Sequence, residues 1–352
     1  MPVPGASHST FTSLPSPQRY GLLIFMRSKS APGKRMVAEL LEPGTFKGVS
    51  SSTIDKLLKA GFTTVESVAV TPAREIAEEA GMGGDTALKV CRLARMQVDP
   101  GFVPALEVLE MRRNMIKCTT GSKELDRVLG GGVETGAITE LIGEFGSGKT
   151  QICFTLAVTA QLPVEEGGLA GNVCAIDTEG TFMPERIVQI AEQRGLDPEK
   201  ILEGILVARA FNSEHQTILI GSLLELVEKS GVRLVIVDSM IGHFRGEYIG
   251  RANLSERQQK LGNCLSRLHR LAEAFNVAVV ITNQVLATPD TMYGDPNKPT
   301  GGHVMAHACT HRVFLRKGRQ NTRLATIIDS PSLPEEKIRF AITAAGVVDS
   351  EE

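Results

Sequence analysis

Directly after the apolar run Ile138–Ile142 the chain reads Gly143-Glu144-Phe145-Gly146-Ser147-Gly148-Lys149-Thr150, and a helix-forming stretch follows. Glycines at 143, 146 and 148 let a strand turn sharply onto a helix, so that backbone N–H groups and the helix N-terminus converge on negative charge. Lys149 extends that reach toward terminal phosphates. The Thr150 hydroxyl suits Mg²⁺, which takes oxygen donors and keeps most of its octahedral positions for waters and phosphate oxygens. The segment therefore predicts a central strand, a following helix and a nucleoside triphosphate between them. Gly143, Glu144, Phe145, Gly146, Ser147, Gly148, Lys149 and Thr150 are all candidate contacts of that ligand.

The chain from 137 to 349 fits that frame. Short apolar runs at Ile138–Ile142, Val173–Ile176, Ile205–Val207, Leu234–Val237 and Val277–Ile281 are mostly rich in β-branched residues and read as buried parallel strands. Amphipathic stretches separate them. The clearest is 254–275, where Leu254, Leu261, Leu265, Leu268, Leu271 and Phe275 share a face while Lys260, Arg267, Arg270 and Glu273 fall elsewhere. Such alternation predicts an α/β core with a mostly parallel central sheet, whose ligands bind at the carboxyl ends of the strands. Asp238 closes one strand and is expected to orient Mg²⁺ together with Thr150. Asp177-Thr178-Glu179-Gly180 closes another, and Glu179 is placed to polarise a water against a terminal phosphate. Gln284 follows the last run and is a candidate phosphate sensor. Catalytic roles thus fall to Lys149, Glu179 and Gln284, with ATP and Mg²⁺ as cofactors. A guanine site is not supported, because Asn297-Lys298-Pro299-Thr300 lacks the aspartate of an NKxD element.

Upstream, residues 1–35 hold five prolines, six serines and five Lys/Arg with no Asp or Glu. That composition cannot bury enough apolar surface to fold alone and reads as a disordered tail. It also resembles a transit peptide, although Tyr20–Met26 lacks a following small-residue cleavage site; Met26 or Met36 is an alternative start. A first domain at 36–98 contains a helical module at 45–96, in which Ile54, Leu57, Leu58 and Ile76, Ala77, Ala80 recur at helical spacing. Two glycine turns, Gly48-Val49-Ser50 and Gly81-Met82-Gly83, lead into the helices Thr53–Lys59 and Thr86–Arg95. Amides at such turns either hold a phosphate without reading bases or simply join helices. A linker at 99–110, opened by Asp99-Pro100-Gly101, precedes the core at 111–352.

Charge and cysteines narrow the setting. With 38 Lys+Arg against 40 Asp+Glu the chain has no overall basic excess, so any anion-binding surface is local. One such region is evident: no acidic residue occurs from Pro296 to Ile328, against Lys298, Arg312, Arg316, Lys317, Arg319 and Arg323. The longest apolar runs, Leu22–Met26 and Val277–Ile281, fall far short of the ~18 residues of a membrane span. Cys91, Cys118, Cys153, Cys174, Cys264 and Cys309 form no CxxC pair, which favours reduced thiols and a cytoplasmic location. His303, His307 and His311 recur every four residues near Cys309. Without a local carboxylate to orient them, His307 and His311 read as packed or hydrogen-bonded helix residues rather than metal ligands.

Taken in order and separation, GEFGSGKT at 143–150, DTEGTF at 177–182, LVIVDS at 234–239, NQV at 283–285, GGH at 301–303 and DSP at 329–331 resemble the archaeal RadA recombinases. These are members of the RecA-like recombinase family, and the resemblance covers about residues 36–350. It implies a RecA-like P-loop ATPase core behind a small all-α helix-hairpin-helix domain. It also implies self-assembly into a filament on single-stranded DNA that is paired with double-stranded DNA, with recombination mediators as further partners. By position, Glu179 resembles the water-activating residue, Arg186 and Gln189 contacts of the base or ribose, and Gln284 and His303 the γ-phosphate sensors. Asp329 and Pro331 resemble the cap placed over a neighbouring subunit's nucleotide. Phe102-Val103-Pro104-Ala105 matches the FxxA polymerisation motif, in which Phe102 and Ala105 enter a neighbour's pockets.

Residues 242–260 and 286–302 match the family's two DNA loops, with Arg245, Tyr248, Arg251, Tyr293, Gly301 and Gly302 as candidate contacts. Cations there neutralise phosphates and side chains support stacked bases without reading sequence. The chain departs from the family pattern at Met183, where many relatives carry arginine, and at Ser50, where the first hairpin usually has glycine. Two rival readings share the core: a non-exchanging paralogue that assists another recombinase, and a hexameric helicase. The helical module, the linker motif and the two loops weigh against both.

Overall fold

In the computed structural model, which describes residues 39–98, 102–250, 252–287 and 297–351, the apolar runs become strands of one nine-stranded sheet. In chain order they are β1 (Ile138–Gly143), β2 (Asn172–Asp177), β3 (Ile205–Arg209), β4 (Val232–Asp238) and β5 (Ala278–Asn283). Then follow β6 (His311–Lys317), β7 (Thr322–Asp329), β8 (Lys337–Thr343) and β9 (Gly346–Asp349). Their spatial order is β9-β8-β7-β6-β1-β5-β4-β2-β3. Pairing is parallel from β6 across to β3 and antiparallel from β6 out to β9. The expected α/β core with a mostly parallel sheet is the one observed.

Both faces of the parallel part are covered, so its strands are continuous apolar runs. Val173, Ala175, Leu234, Ile236, Ala278 and Val280 pack on one side with residues of the helices Lys149–Thr159 and Pro184–Gln193. Their neighbours Cys174, Ile176, Val235, Val237, Val279 and Ile281 pack on the other with Ser213–Ser230 and Leu254–Phe275. The predicted face of the last helix is buried except at its first residue, Leu254, which is 43% exposed. The antiparallel edge escapes the apolar pattern because Arg312, Arg316, Lys317, Arg323, Lys337 and Arg339 interrupt it. The loop at 286–302 is also more ordered at its base than its composition suggests. Val285–Ala287 and Asn297–Pro299 form an antiparallel pair, too short for any period to register in the sequence.

The helices Ser51–Lys59, Val65–Val70, Ala73–Glu79 and Gly84–Val98 enclose a separate core that includes Phe46, Ile54, Leu57, Ile76 and Val90. Leu58, expected inside, is 37% exposed. The module is fastened to the outer helices of the large core. Arg267 bonds Glu75 and Glu79, both at 2.9 Å, Arg270 bonds Glu75 at 2.9 Å, and the Thr64 hydroxyl donates to Glu228 at 2.6 Å. The expected tail at 1–35 lies outside the described residues. Among the described residues no helix is long and apolar enough to cross a membrane.

Candidate active site

β1 hands the chain to the glycine-rich turn, and the helix Lys149–Thr159 starts on its far side. Gly148 makes that passage at φ 105°, in the left-handed region, where a Cβ would lie 2.9 Å from Ile342 Cδ1. Lys149 Nζ donates to the carbonyls of Gly143 and Glu144, each at 2.9 Å. Burial lowers its pKa, opposed by the carboxylates of Asp238 and Glu179. Ser147 Oγ is buried in the turn and has no hydrogen-bond partner among the described residues. It is the kind of orphaned donor that a phosphate oxygen satisfies.

Asp238, at the end of β4, sits between two hydroxyls. Thr150 donates to Oδ2 at 2.7 Å, and Thr282 on β5 donates to Oδ1. Burial raises the Asp238 pKa above the usual carboxylate range, and those two hydroxyl bonds pull it back down. One carboxylate and one hydroxyl form an all-oxygen set. This fits Mg²⁺, which is held by few protein ligands beside substrate phosphates.

The two acids of the loop after β2 do different work. Asp177 Oδ1 accepts the backbone N–H groups of Glu179 (3.1 Å), Gly180 (2.8 Å) and Thr181 (3.2 Å), while Oδ2 accepts that of Phe182 (3.3 Å). Arg209 also bonds Oδ1 at 3.1 Å. Asp177 thus shapes the loop, and Glu179 is what the loop presents. Glu179 Oε1 accepts from Ser239 Oγ and Gln284 Nε2, both at 2.8 Å, and Gln284 Oε1 receives a longer contact from Arg245 Nη1 at 3.5 Å.

An open cleft gathers the glycine-rich turn, Lys149, Thr150, Glu179, Arg186, Asp238 and Gln284. Arg186 bonds Gln151 at 2.9 Å and the carbonyl of Ala344 at 2.9 Å, and also Gln189, which does not itself line the cleft. His303, Asp329 and Pro331 do not line it either. His303 is exposed on the helix Gly302–Ala308 with its ring stacked on His307, centroids 6.0 Å apart. Asp329 and Pro331 are exposed at and beyond the end of β7. His311 is not a helix residue: the helix stops at Ala308, and His311 opens β6, buried, with its Nδ1 3.0 Å from Ser330 Oγ. A four-residue spacing therefore spans a helix end, and the three imidazoles share no face.

Arg323 is a cleft residue that the sequence left undivided among the six cations of the acid-free run. Its Nε donates to the Gly146 carbonyl at 3.1 Å, which ties β7 to the glycine-rich turn. Arg312, from the same run, is instead committed to the buried Glu140 at 2.6 Å. Met183 lines the cleft, uncharged where an arginine was expected from the resemblance. Ser50 caps the helix Ser51–Lys59 at φ −72°, so no glycine is needed there; its hydroxyl occupies the Thr53 N–H at 3.3 Å.

Of the DNA-loop candidates, Arg245 lies on the short helix Gly242–Glu247, and Tyr248 follows it with its hydroxyl 2.6 Å from Lys260 Nζ. Gly301 turns at φ 94° where a Cβ would meet Met305 Cγ at 2.2 Å, and Gly302 opens the next helix. Arg251 and Tyr293 lie outside the described residues. Phe102 is 108% exposed and Ala105 starts the helix Ala105–Arg113, none of whose side chains is buried.

A strand-to-helix turn cradled by the neighbouring strand ends, with its threonine bonded to a strand-end aspartate, defines the P-loop class of α/β proteins. Comparison with known sequences narrows the class. Residues 111–350 match the family described as Rad51. The chain is also 49% identical over 304 residues to the DNA repair and recombination protein RadA of Aeropyrum pernix, an alignment spanning 86% of this chain and 95% of that protein. The chain belongs to the Rad51 family.

Proposed function

We propose that the protein is an ATP- and Mg²⁺-dependent DNA recombinase of the cytoplasm. It polymerises on single-stranded DNA, pairs that strand with duplex DNA, promotes strand exchange and hydrolyses ATP to recycle. The observation that carries this reading is the continuous set of contacts from Glu179 through Gln284 to Arg245. It links a carboxylate of the nucleotide cleft to the segment 242–260 that the family uses on DNA. A plain nucleotide switch has no need of such a link.

In this reading the amides of residues 143–150, Lys149 and Ser147 bind the phosphates, and Thr150 with Asp238 holds the metal. Arg186, supported by Gln189, faces the base or ribose. Glu179 takes a proton from water, and Gln284 and His303 report the state of the γ-phosphate. When bound, Mg-ATP supplies the phosphoanhydride and the charge neutralisation that these groups serve. Residues 36–98 serve as a helix-hairpin-helix DNA-binding domain, while Arg245, Tyr248, Arg251, Tyr293, Gly301 and Gly302 hold the strand in the filament. Self-assembly uses Phe102 and Ala105 of the linker 99–110. The free edge strand β3, with Val207 46% and Phe211 73% exposed, offers an apolar margin for a neighbour's linker. Asp329 and Pro331 then close over the adjacent subunit's nucleotide, which makes assembly depend on nucleotide by linkage. Mediators that load the filament are the remaining partners.

The test is strand exchange between homologous DNAs with and without ATP, run beside the Glu179→Gln variant. The parent should exchange strands only with ATP. The variant should bind ATP and assemble, yet turn over at least about a hundredfold more slowly, as expected when a base is lost. ATP-dependent unwinding without pairing would establish the helicase reading instead.

A further inference from the structure

We propose that Ser239 is a positioning residue for hydrolysis: its hydroxyl fixes Glu179 Oε1 and so leaves Oε2 as the oxygen that meets the attacking water. The proposal rests on the reading of Glu179 as the base. Ser239 follows Asp238 at the end of β4 and has no exposed surface. Its backbone is stitched to the residue before Glu179 on both sides of the Thr178 hydroxyl. Ser239 N donates to Thr178 Oγ1 at 2.8 Å, and Thr178 Oγ1 donates to the Ser239 carbonyl at 3.0 Å. Thr178 N further donates to the Asp238 carbonyl at 2.9 Å. The backbone bonds hold the metal-bearing strand end and the base-bearing loop in register.

That leaves the side chain, and a serine hydroxyl carries one proton. Ser239 spends it on Glu179 Oε1 at 2.8 Å. The same oxygen receives Gln284 Nε2 at 2.8 Å, so Oε1 is gripped from the ends of β4 and β5, while Oε2 accepts no hydrogen bond among the described residues. The two tethers differ. Gln284 stands just before the loop at 286–302 and shares its other end with Arg245 through the longer 3.5 Å contact. Ser239 is buried in the turn directly after β4 and lies outside that loop. A glutamate side chain has several rotatable bonds, and one fixed donor removes most of that freedom before the water arrives.

The experiment uses the full chain with saturating single-stranded DNA and compares the parent, Ser239→Ala, Glu179→Gln and the double variant. Single-turnover and steady-state ATP hydrolysis are measured, with nucleotide affinity and thermal melting measured in parallel. The serine variant should lose about tenfold in kcat with Kd for ATP within twofold. In the Glu179→Gln background the same substitution should change nothing further, because Ser239 acts through that carboxylate.

An unchanged rate in Ser239→Ala, with Glu179→Gln slow, overturns the proposal and leaves the base assignment standing. A rate loss that persists in the double variant, or that tracks weakened ATP binding and melting, also overturns it, because the serine then has a merely structural role. Parent-like turnover in Glu179→Gln overturns the base assignment and the proposal together.

Discussion

Asp177 offers the sharpest test of how the site is built, because it touches the chemistry only through backbone. Its carboxylate accepts four N–H groups of residues 179–182 at 2.8–3.3 Å and is 8% exposed. Hydrogen bonds to a charged acceptor contribute roughly 1.5–3 kcal/mol each, but the loop is largely exposed and its freed amides can turn to water. The paired Arg209 is also open to solvent, so that ion pair adds less than about 1 kcal/mol. Asp177→Ala should therefore cost about 3 kcal/mol rather than the simple sum. Asp177→Asn keeps an acceptor for the three bonds at Oδ1 and loses the one to Phe182, which should cost about 1 kcal/mol. At roughly 2 °C per kcal/mol for a core of this size, the melting temperature should fall by about 6 °C and about 2 °C respectively. Turnover should follow the same order, because Glu179 lies two residues along the loop and a displacement near 1 Å costs up to about a hundredfold. Thermal unfolding and ATP hydrolysis on both variants provide the check. An alanine variant that melts and turns over like the parent, or an asparagine variant as damaged as the alanine one, would refute the loop-building role.

Other parts of the molecule give independent tests. Glu66 is buried in the helical module beside Glu39 and Glu228, and burial pushes its carboxyl up to about 7. A pKa raised from 4.5 means the folded state holds its proton more tightly, so stability drops as pH rises between about 4.5 and 7. Glu66→Gln should flatten that dependence and raise stability at pH 8 by about 3 kcal/mol, read by unfolding at several pH values; a slope identical to the parent's would count against it. Phe102→Glu should reduce the assembly to monomers or small rings by light scattering. Because Phe102 is fully exposed, melting of the monomer should shift by less than about 1 °C, whereas a phenylalanine packed on its own core would cost several kcal/mol. Gly148→Ala forces a side chain into a left-handed conformation against Ile342 and should weaken nucleotide binding about tenfold in a fluorescence titration, with an unchanged Kd as the contrary result.

The sheet and the glycine-rich turn were legible in the sequence because each has a strong local cause. β-branched runs buried on both faces have no competing reading as surface strands, and glycines at 143, 146 and 148 open backbone conformations for a tight turn that other residues rarely adopt. The antiparallel edge was not legible, since β6 to β8 mix arginines and lysines that find partners or solvent only in three dimensions. Arg312 is half of a buried pair with Glu140, while Arg323, eleven residues on, holds the Gly146 carbonyl. Nothing in the one-dimensional pattern separates the two.

The same limit applies to the acids. Asp177, Glu179 and Asp238 all stand at or just past strand ends on the carboxyl edge; the sequence offers Asp238 for the metal and Glu179 for the water, and gives Asp177 no role of its own. Their hydrogen-bond partners divide the roles: four amides make Asp177 a loop former, two hydroxyls make Asp238 an anchor beside Thr150, and side-chain donors held just past β4 and just past β5 leave Glu179 with one open oxygen. A carboxylate saturated by its own backbone cannot also take a proton from water. The separation of Asp177 from the other two acids therefore follows from counting donors at each oxygen, which the order of residues along the chain does not reveal.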